Sequence, residues 1–208
     1  MANSTEILRE QWTELRAWIE DSGLLDHRGE QSVLEAWNVH ELVTHLGRGF
    51  LQIPLLGPAR GQEPVSLRVF LAGYESAANE IADGTKQLAR SFSGDVLGGI
   101  DNCARIGFRA LEALRVDVVQ GPQGAISLDD FVVTRLIELV VHGDDLARSV
   151  PSVAAPPLVD AALQAVSNAF VNVYEDATGE RPTIGDHLSW IRRASGRVPD
   201  HDAALPLL

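Results

Sequence analysis

Cysteine is almost missing from this 208-residue chain: Cys103 stands alone, so no intrachain disulfide can form and the fold must rest on its core. Lysine is almost missing too. Lys86 is the single lysine among 17 basic residues, which face 29 acidic ones for a net charge of -12. That balance argues against electrostatic capture of nucleic acid or of an anionic membrane surface. No apolar run is long and clean enough to span a bilayer. The segment Met1-Ala-Asn-Ser-Thr-Glu6 is polar and runs straight into a helical pattern, which predicts no secretory signal and a cytoplasmic protein. A phosphate-cradling glycine motif, a nucleophile elbow and a Cys–His dyad are all missing. Cys103 sits in Ile100-Asp-Asn-Cys-Ala-Arg-Ile106 and reads as a small core residue rather than a reactive thiol.

What the chain does have is apolar residues at helical spacing. Hydrophobic residues make up 45 %, enough for a real core, and the length suits one domain with an appendage or two small ones. Ile7, Leu8, Trp12, Leu15, Trp18 and Ile19 form a stripe over Glu6 to Asp21, which Ser4 or Thr5 can cap and Ser22-Gly23 ends. Asn38 with Glu41 forms a capping-box pattern for a helix from Val39 to Phe50. Gly57-Pro58 and Gly61 mark a loop. Further helices are predicted over Leu67 to Ser91, capped by Ser66, and over Asp95 to Leu114. Another runs from Leu128 to Arg148, with Ser127 and Asp130 at its start. Between the last two, Gly121-Pro-Gln-Gly124 is flanked by short apolar runs, readable as a small β excursion or an ordered loop. After Pro151, Pro156 and Pro157, shorter helices read from Leu158 to Glu175 and from Ile184 to Ala194, the latter capped by Thr183 with Asp186. The expected architecture is mostly α: a four-helix bundle over residues 1–150 and a short helical C-terminal extension over 151–208.

The chemistry concentrates in Glu138-Leu-Val-Val-His142. Four residues apart on a helix, carboxylate and imidazole share one face, about 5–6 Å apart at Cβ. Their neighbours Leu136, Ile137, Leu139, Val140 and Val141 make a bare charge costly. Two readings are open. Either the pair holds a divalent cation, or Glu138 pairs with Arg135 and His142 is a satisfied core histidine. A cation needs a third ligand, and His45, in the apolar helix from Val39, is the best candidate. A His–Glu–His set suits zinc and related ions, and three protein ligands leave positions open for water or substrate. Asp145, three residues after His142, reads either as a hydrogen-bond acceptor for a ligand imidazole or as a solvated helix end. Glu41 shares a face with His45, but its place at the helix start gives it a capping role. His40 points away from His45 and reads as exposed; His27 and His201 read as solvated, and His187 as part of a cap. The four tryptophans read mainly as core or rim anchors. Arg48 and Arg135 could bind an anionic group, although surface or ion-pair roles are the simpler reading.

Together, Trp37-Asn-Val-His-Glu-Leu-Val-Thr-His45-Leu-Gly47 and Thr134-Arg-Leu-Ile-Glu138-Leu-Val-Val-His142-Gly-Asp-Asp145-Leu-Ala147 resemble the mycothiol-dependent maleylpyruvate isomerase family. That family lies within the DinB-like superfamily of metal-binding four-helix bundles. The segment Leu188-Ser-Trp-Ile-Arg-Arg-Ala-Ser-Gly-Arg197 is similar to the C-terminal signature of actinobacterial members. The resemblance implies that His45, Glu138 and His142 hold a divalent metal, most often Zn2+. It also implies a cytoplasmic enzyme that uses mycothiol as cosubstrate, a transferase or isomerase acting on a small electrophile. A coordinated thiol is deprotonated, which makes a strong nucleophile at neutral pH. Asp144 stands where members often carry an aromatic residue, and the tail is shorter than that of the true isomerases. The implied partners are therefore a small-molecule thiol and an electrophile, with no nucleic acid and no membrane, in a monomer or homodimer. A metal-dependent hydrolase working through water, or a non-catalytic metal-binding module, are the alternatives.

Overall fold

The computed structural model describes residues 3–208 and is mostly helical. Seven α-helices follow in chain order: α1 (Ser4–Asp21), α2 (Val39–Phe50), α3 (Leu67–Ser91), α4 (Val96–Ala113), α5 (Leu128–Ser149), α6 (Asp160–Thr178) and α7 (His187–Ala194). Three short strands, β1 (Gly57–Pro58), β2 (Val118–Gly121) and β3 (Gly124–Ser127), make one antiparallel sheet in the order β1-β2-β3. The expected mostly-α architecture is therefore observed.

Capping chemistry explains where most helices begin. The Asn38 side chain accepts from the Glu41 amide at 2.9 Å, and the Glu41 carboxylate accepts from the Asn38 amide at 3.0 Å, so both ends of the predicted box close. Ser66, Asp95 and Ser127 cap α3, α4 and α5. Two starts differ from expectation. Asn3 rather than Ser4 or Thr5 caps α1, because its side chain reaches the Glu6 amide while Glu6 reaches back to close a box. Asp186 rather than Thr183 caps α7, with its carboxylate on the Ser189 amide. The uncertain stretch around Gly121-Pro-Gln-Gly124 is a β-hairpin, paired from Val118↔Ser127 to Gly121↔Gly124. The segment read as a loop at Gly57-Pro58 joins it as an edge strand, pairing with Gln120 and Val119.

α2 is the hub. It packs against α3, α4 and α5, while α1 packs on α5 and α6. The contact with α4 is close: a Cβ on Gly107 would meet Phe50 Cβ at 2.8 Å. One apolar cluster runs through the molecule from Leu8 to Ala194 and includes Phe50, Phe131, Phe170 and Trp190. Packing on α1, α3 and α5 thus brings α6 into the same core, and α7 lies on α6. Among the described residues no helix is long and apolar enough to cross a membrane. Cys103 is buried, and desolvation pushes its thiol up to about 11, the state of an inert core residue.

Candidate metal centre

α2 and α5 lie side by side in the core, and each turns polar side chains toward the same point. His45 comes from the middle of α2; Glu138 and His142 come from successive turns of α5. His45 Nε2 lies 3.0 Å from Glu138 Oε2, and His142 Nε2 lies 3.2 Å from the same oxygen. One donor atom from each of the three residues falls within 4.8 Å of the others. Four-coordinate zinc with bonds near 2.0–2.2 Å separates its ligand atoms by about 3.3 Å; contacts of 3.0 and 3.2 Å lie close to that edge and equally within hydrogen-bond range.

Each imidazole is fixed from behind. His142 Nδ1 lies 2.9 Å from Asp145 Oδ2. Asp145 is fully buried and is also gripped by Arg197, whose Nε and Nη2 lie 3.1 and 2.8 Å from its two oxygens. A carboxylate only accepts, so Nδ1 carries the proton and Nε2 faces Glu138. His45 Nδ1 contacts the buried Thr85 hydroxyl of α3 at 3.3 Å. Trp37 stacks on the other side, its ring centroid 4.4 Å from that of His45 at an interplanar angle of 28°.

The electrostatics follow from these partners. Burial alone would push the Glu138 carboxyl up, but hydrogen bonds from His142 and His45 hold it well below the usual carboxylate range. Burial lowers His45 despite its contact with Glu138. His142 goes the other way: burial would lower it, yet Asp145 and Glu138 raise it to about 8. Asp145 is itself held down at about 2 against its burial, by His142 and Arg197.

Two cavities meet at this point and share His45, Tyr74, Ile81 and Glu138 in their walls. The larger, about 340 Å³, is mainly apolar, with Trp37, Leu71, Ile137 and Val141 alongside His142 and Arg197. The smaller, about 110 Å³, carries Arg48, Gln52, Gln123 and Arg135.

A family model described as the mycothiol maleylpyruvate isomerase N-terminal domain matches residues 8–147. The chain belongs to this family. No curated protein and no solved structure matches it. The family match and the mostly helical model agree with the DinB-like fold, and the matched span holds His45, Glu138, His142 and Asp145, but ends before Arg197.

The remaining sequence candidates fall as follows. Glu41 caps α2 and stays out of the cluster. His40 is half-buried rather than exposed, because its Nε2 meets the Ala89 carbonyl at 3.1 Å. His27 pairs with Glu30 at 2.7 Å. His187 is the first residue of α7, where its Nδ1 is buried without a partner. Arg135 lies 3.8 Å from Glu138 Oε1, so the alternative pairing exists as a long contact beside the two histidines. Asp144 is buried and held by Arg192 through two hydrogen bonds, which ties α7 to α5. Sequence reasoning placed Trp37 only as an anchor and gave no role to Thr85 or Arg197. Trp37 stood at the edge of the motif containing His45 and Arg197 at the end of the C-terminal signature; Thr85 left no signal.

Proposed function

We propose that this family member is a divalent-metal-dependent thiol S-transferase or isomerase, with zinc at His45, Glu138 and His142 and mycothiol as its cosubstrate. One observation carries the reading. With the Nδ1 proton of His142 committed to Asp145, the Nε2 lone pair faces a carboxylate oxygen at 3.2 Å. Two acceptors at that distance need a cation between them, and the choice is a proton or a metal. The His2Glu donor set, the edge lengths and the backing of both rings fit the metal.

A divalent ion held there would lower the pKa of the cosubstrate thiol and so supply a thiolate at neutral pH. The chain's own residues do the rest. Asp145 fixes the tautomer and angle of His142, and Trp37 and Thr85 fix the ring of His45. The apolar cavity beside them gives a small electrophile a site poor in water, bounded by Leu71, Ile137 and Val141. Attack by sulfur on a conjugated C=C would form one C–S bond as the π pair moves to the conjugated carbonyl oxygen. Return of that pair with release of the sulfur after bond rotation would give an isomer, and protonation of the α-carbon from solvent with the sulfur retained would give a thioether. Glu138 is engaged by both imidazoles and is a poor general base. In this reading residues 1–150 carry the metal-binding bundle, and residues 151–208 brace it through Arg192 and Arg197.

The test begins with elemental analysis of protein purified without chelator, beside His142→Ala. About one zinc per chain, lost in the variant, is the expected result. Turnover of an electrophile such as a conjugated enone, dependent on added mycothiol, then identifies the chemistry. Turnover with water alone would replace thiol transfer by hydrolysis. A folded, metal-loaded protein without turnover on either route would make it a binding module.

A further inference from the structure

The smaller cavity contains two guanidinium groups beside the candidate metal centre and little to neutralise them. Arg135 is 5 % exposed, with its charge spent on neutral groups: Thr134 Oγ1 at 3.1 Å, the Gly49 carbonyl at 3.4 Å and the Tyr74 hydroxyl. Its nearest carboxylate oxygen is Glu138 Oε1 at 3.8 Å, in a group already shared by two histidines. Arg48, two residues before the end of α2, forms no salt bridge and no side-chain hydrogen bond among the described residues. Glu80 lines the same cavity but is exposed and makes no ion pair with it. A buried arginine without a full counter-ion is costly unless something else supplies the negative charge.

The backbone makes room for this arrangement. A Cβ on Gly84 of α3 would meet Arg48 Nη2 at 3.2 Å, so the absence of a side chain there lets the guanidinium lie against the helix. A Cβ on Gly73 would meet Gln123 Cγ at 2.5 Å, so the amide from the β2–β3 turn is seated in the same way. That amide's Oε1 is buried and has no partner, so turning the amide over, which exchanges Oε1 and Nε2, would aim its NH2 at an oxyanion in the cavity. Glycine inside a helix weakens it, and α3 bears that cost at positions that admit polar side chains of this one cavity.

We infer that Arg48 and Arg135, with Gln52 and Gln123 beside them, form a subsite for a small oxyanion, a carboxylate or a phosphate, next to His45 and Glu138. Guanidinium groups match both anions through paired N–H donors. The volume of about 110 Å³ suits one such group rather than a whole substrate. The larger apolar cavity then takes the uncharged remainder, since both cavities open on the same residues. That this oxyanion belongs to the reacting electrophile rests on the thiol-transfer reading above; the subsite itself does not.

Calorimetric titration with succinate, inorganic phosphate and uncharged succinamide tests it, on the full chain with and without zinc. Succinate or phosphate should bind, whichever is preferred naming the group, while succinamide should not. Arg48→Met should weaken that binding at least tenfold, and Arg48→Lys should fall between. Gly84→Ala should weaken it several-fold while raising the melting temperature, a pairing that general damage to the fold would not produce. Failure of both anions to bind, equal binding of succinamide, or an unchanged affinity in a folded Arg48→Met protein would overturn the subsite. Oxyanion binding retained in a zinc-free His142→Ala protein would uphold it even if the metal reading failed. Zinc binding without any oxyanion binding would sink the subsite and leave the metal reading standing.

Discussion

His45 and His142 face the same carboxylate oxygen at nearly the same distance, yet they are opposite in character. His142 is backed by a buried charge: Asp145, itself clamped by Arg197, raises its basicity to about 8. His45 is backed by neutral groups, the Trp37 ring and the Thr85 hydroxyl, and burial lowers it. The contrast shows that two imidazoles on one carboxylate can divide the labour. The proton that a metal at this site would have to displace sits on His142, while burial leaves His45 neutral at pH 7.

The strongest way to break the comparison is to remove either ring. His45→Ala and His142→Ala should each abolish stoichiometric zinc binding by elemental analysis, whatever the difference in their surroundings. Asp145→Asn comes next. It keeps an acceptor for Nδ1 but removes the charge, and should weaken zinc by about 10–100-fold in competition with a chromophoric chelator. Arg197→Met acts one step further out and should cost less, about tenfold or below, because Asp145 remains and only its clamp is lost.

The acid–base contrast sharpens with pH. The His142 value in the folded chain lies above its ordinary 6.5, so protonated His142 stabilises the metal-free fold fully below pH 6.5, and that contribution fades as pH rises through about 8. Zinc must displace this proton, so its affinity should climb with pH up to about 8 and then level off. Asp145→Asn should move that break to lower pH even as the affinity falls; an unmoved break would show that Asp145 does not set it. The smallest effect belongs to the other side. Trp37→Phe keeps a ring against His45 and should change zinc affinity by no more than a few-fold, with the break in the same place.

Much of this was legible because helices write themselves periodically. The Asn38–Glu41 box, the Ser66 and Ser127 caps and the Glu138–His142 spacing are local patterns, and the bounds of α2, α3 and α5 follow from them. The joining of His45 to that pair is not local; the need for a third ligand from an apolar helix suggested it, and the resemblance of the two motifs to a family then implied it. What escaped was set by long-range packing. Gly57-Pro58 is a strand only because Val119 and Gln120 lie beside it. Thr85 reaches His45 from 40 residues away with nothing in its own surroundings to mark it. Arg135 carried both a surface and an ion-pair reading, and the structure buries it, because Gly49 and Tyr74, far away in sequence, add their oxygens to that of adjacent Thr134.

The clamp on Asp145 has a consequence for modularity. A fragment ending at residue 147, where the family match stops, would keep His45, Glu138, His142 and Asp145 but lose Arg197, and with it α6, which shares the bundle's core. Such a fragment would expose apolar surface on α1 and α5 as well as free Asp145 from its clamp. The clamp alone is a separately variable dial: a substitution at Arg197 leaves every residue of the matched span unchanged, and would retune a metal held at the centre only through Asp145.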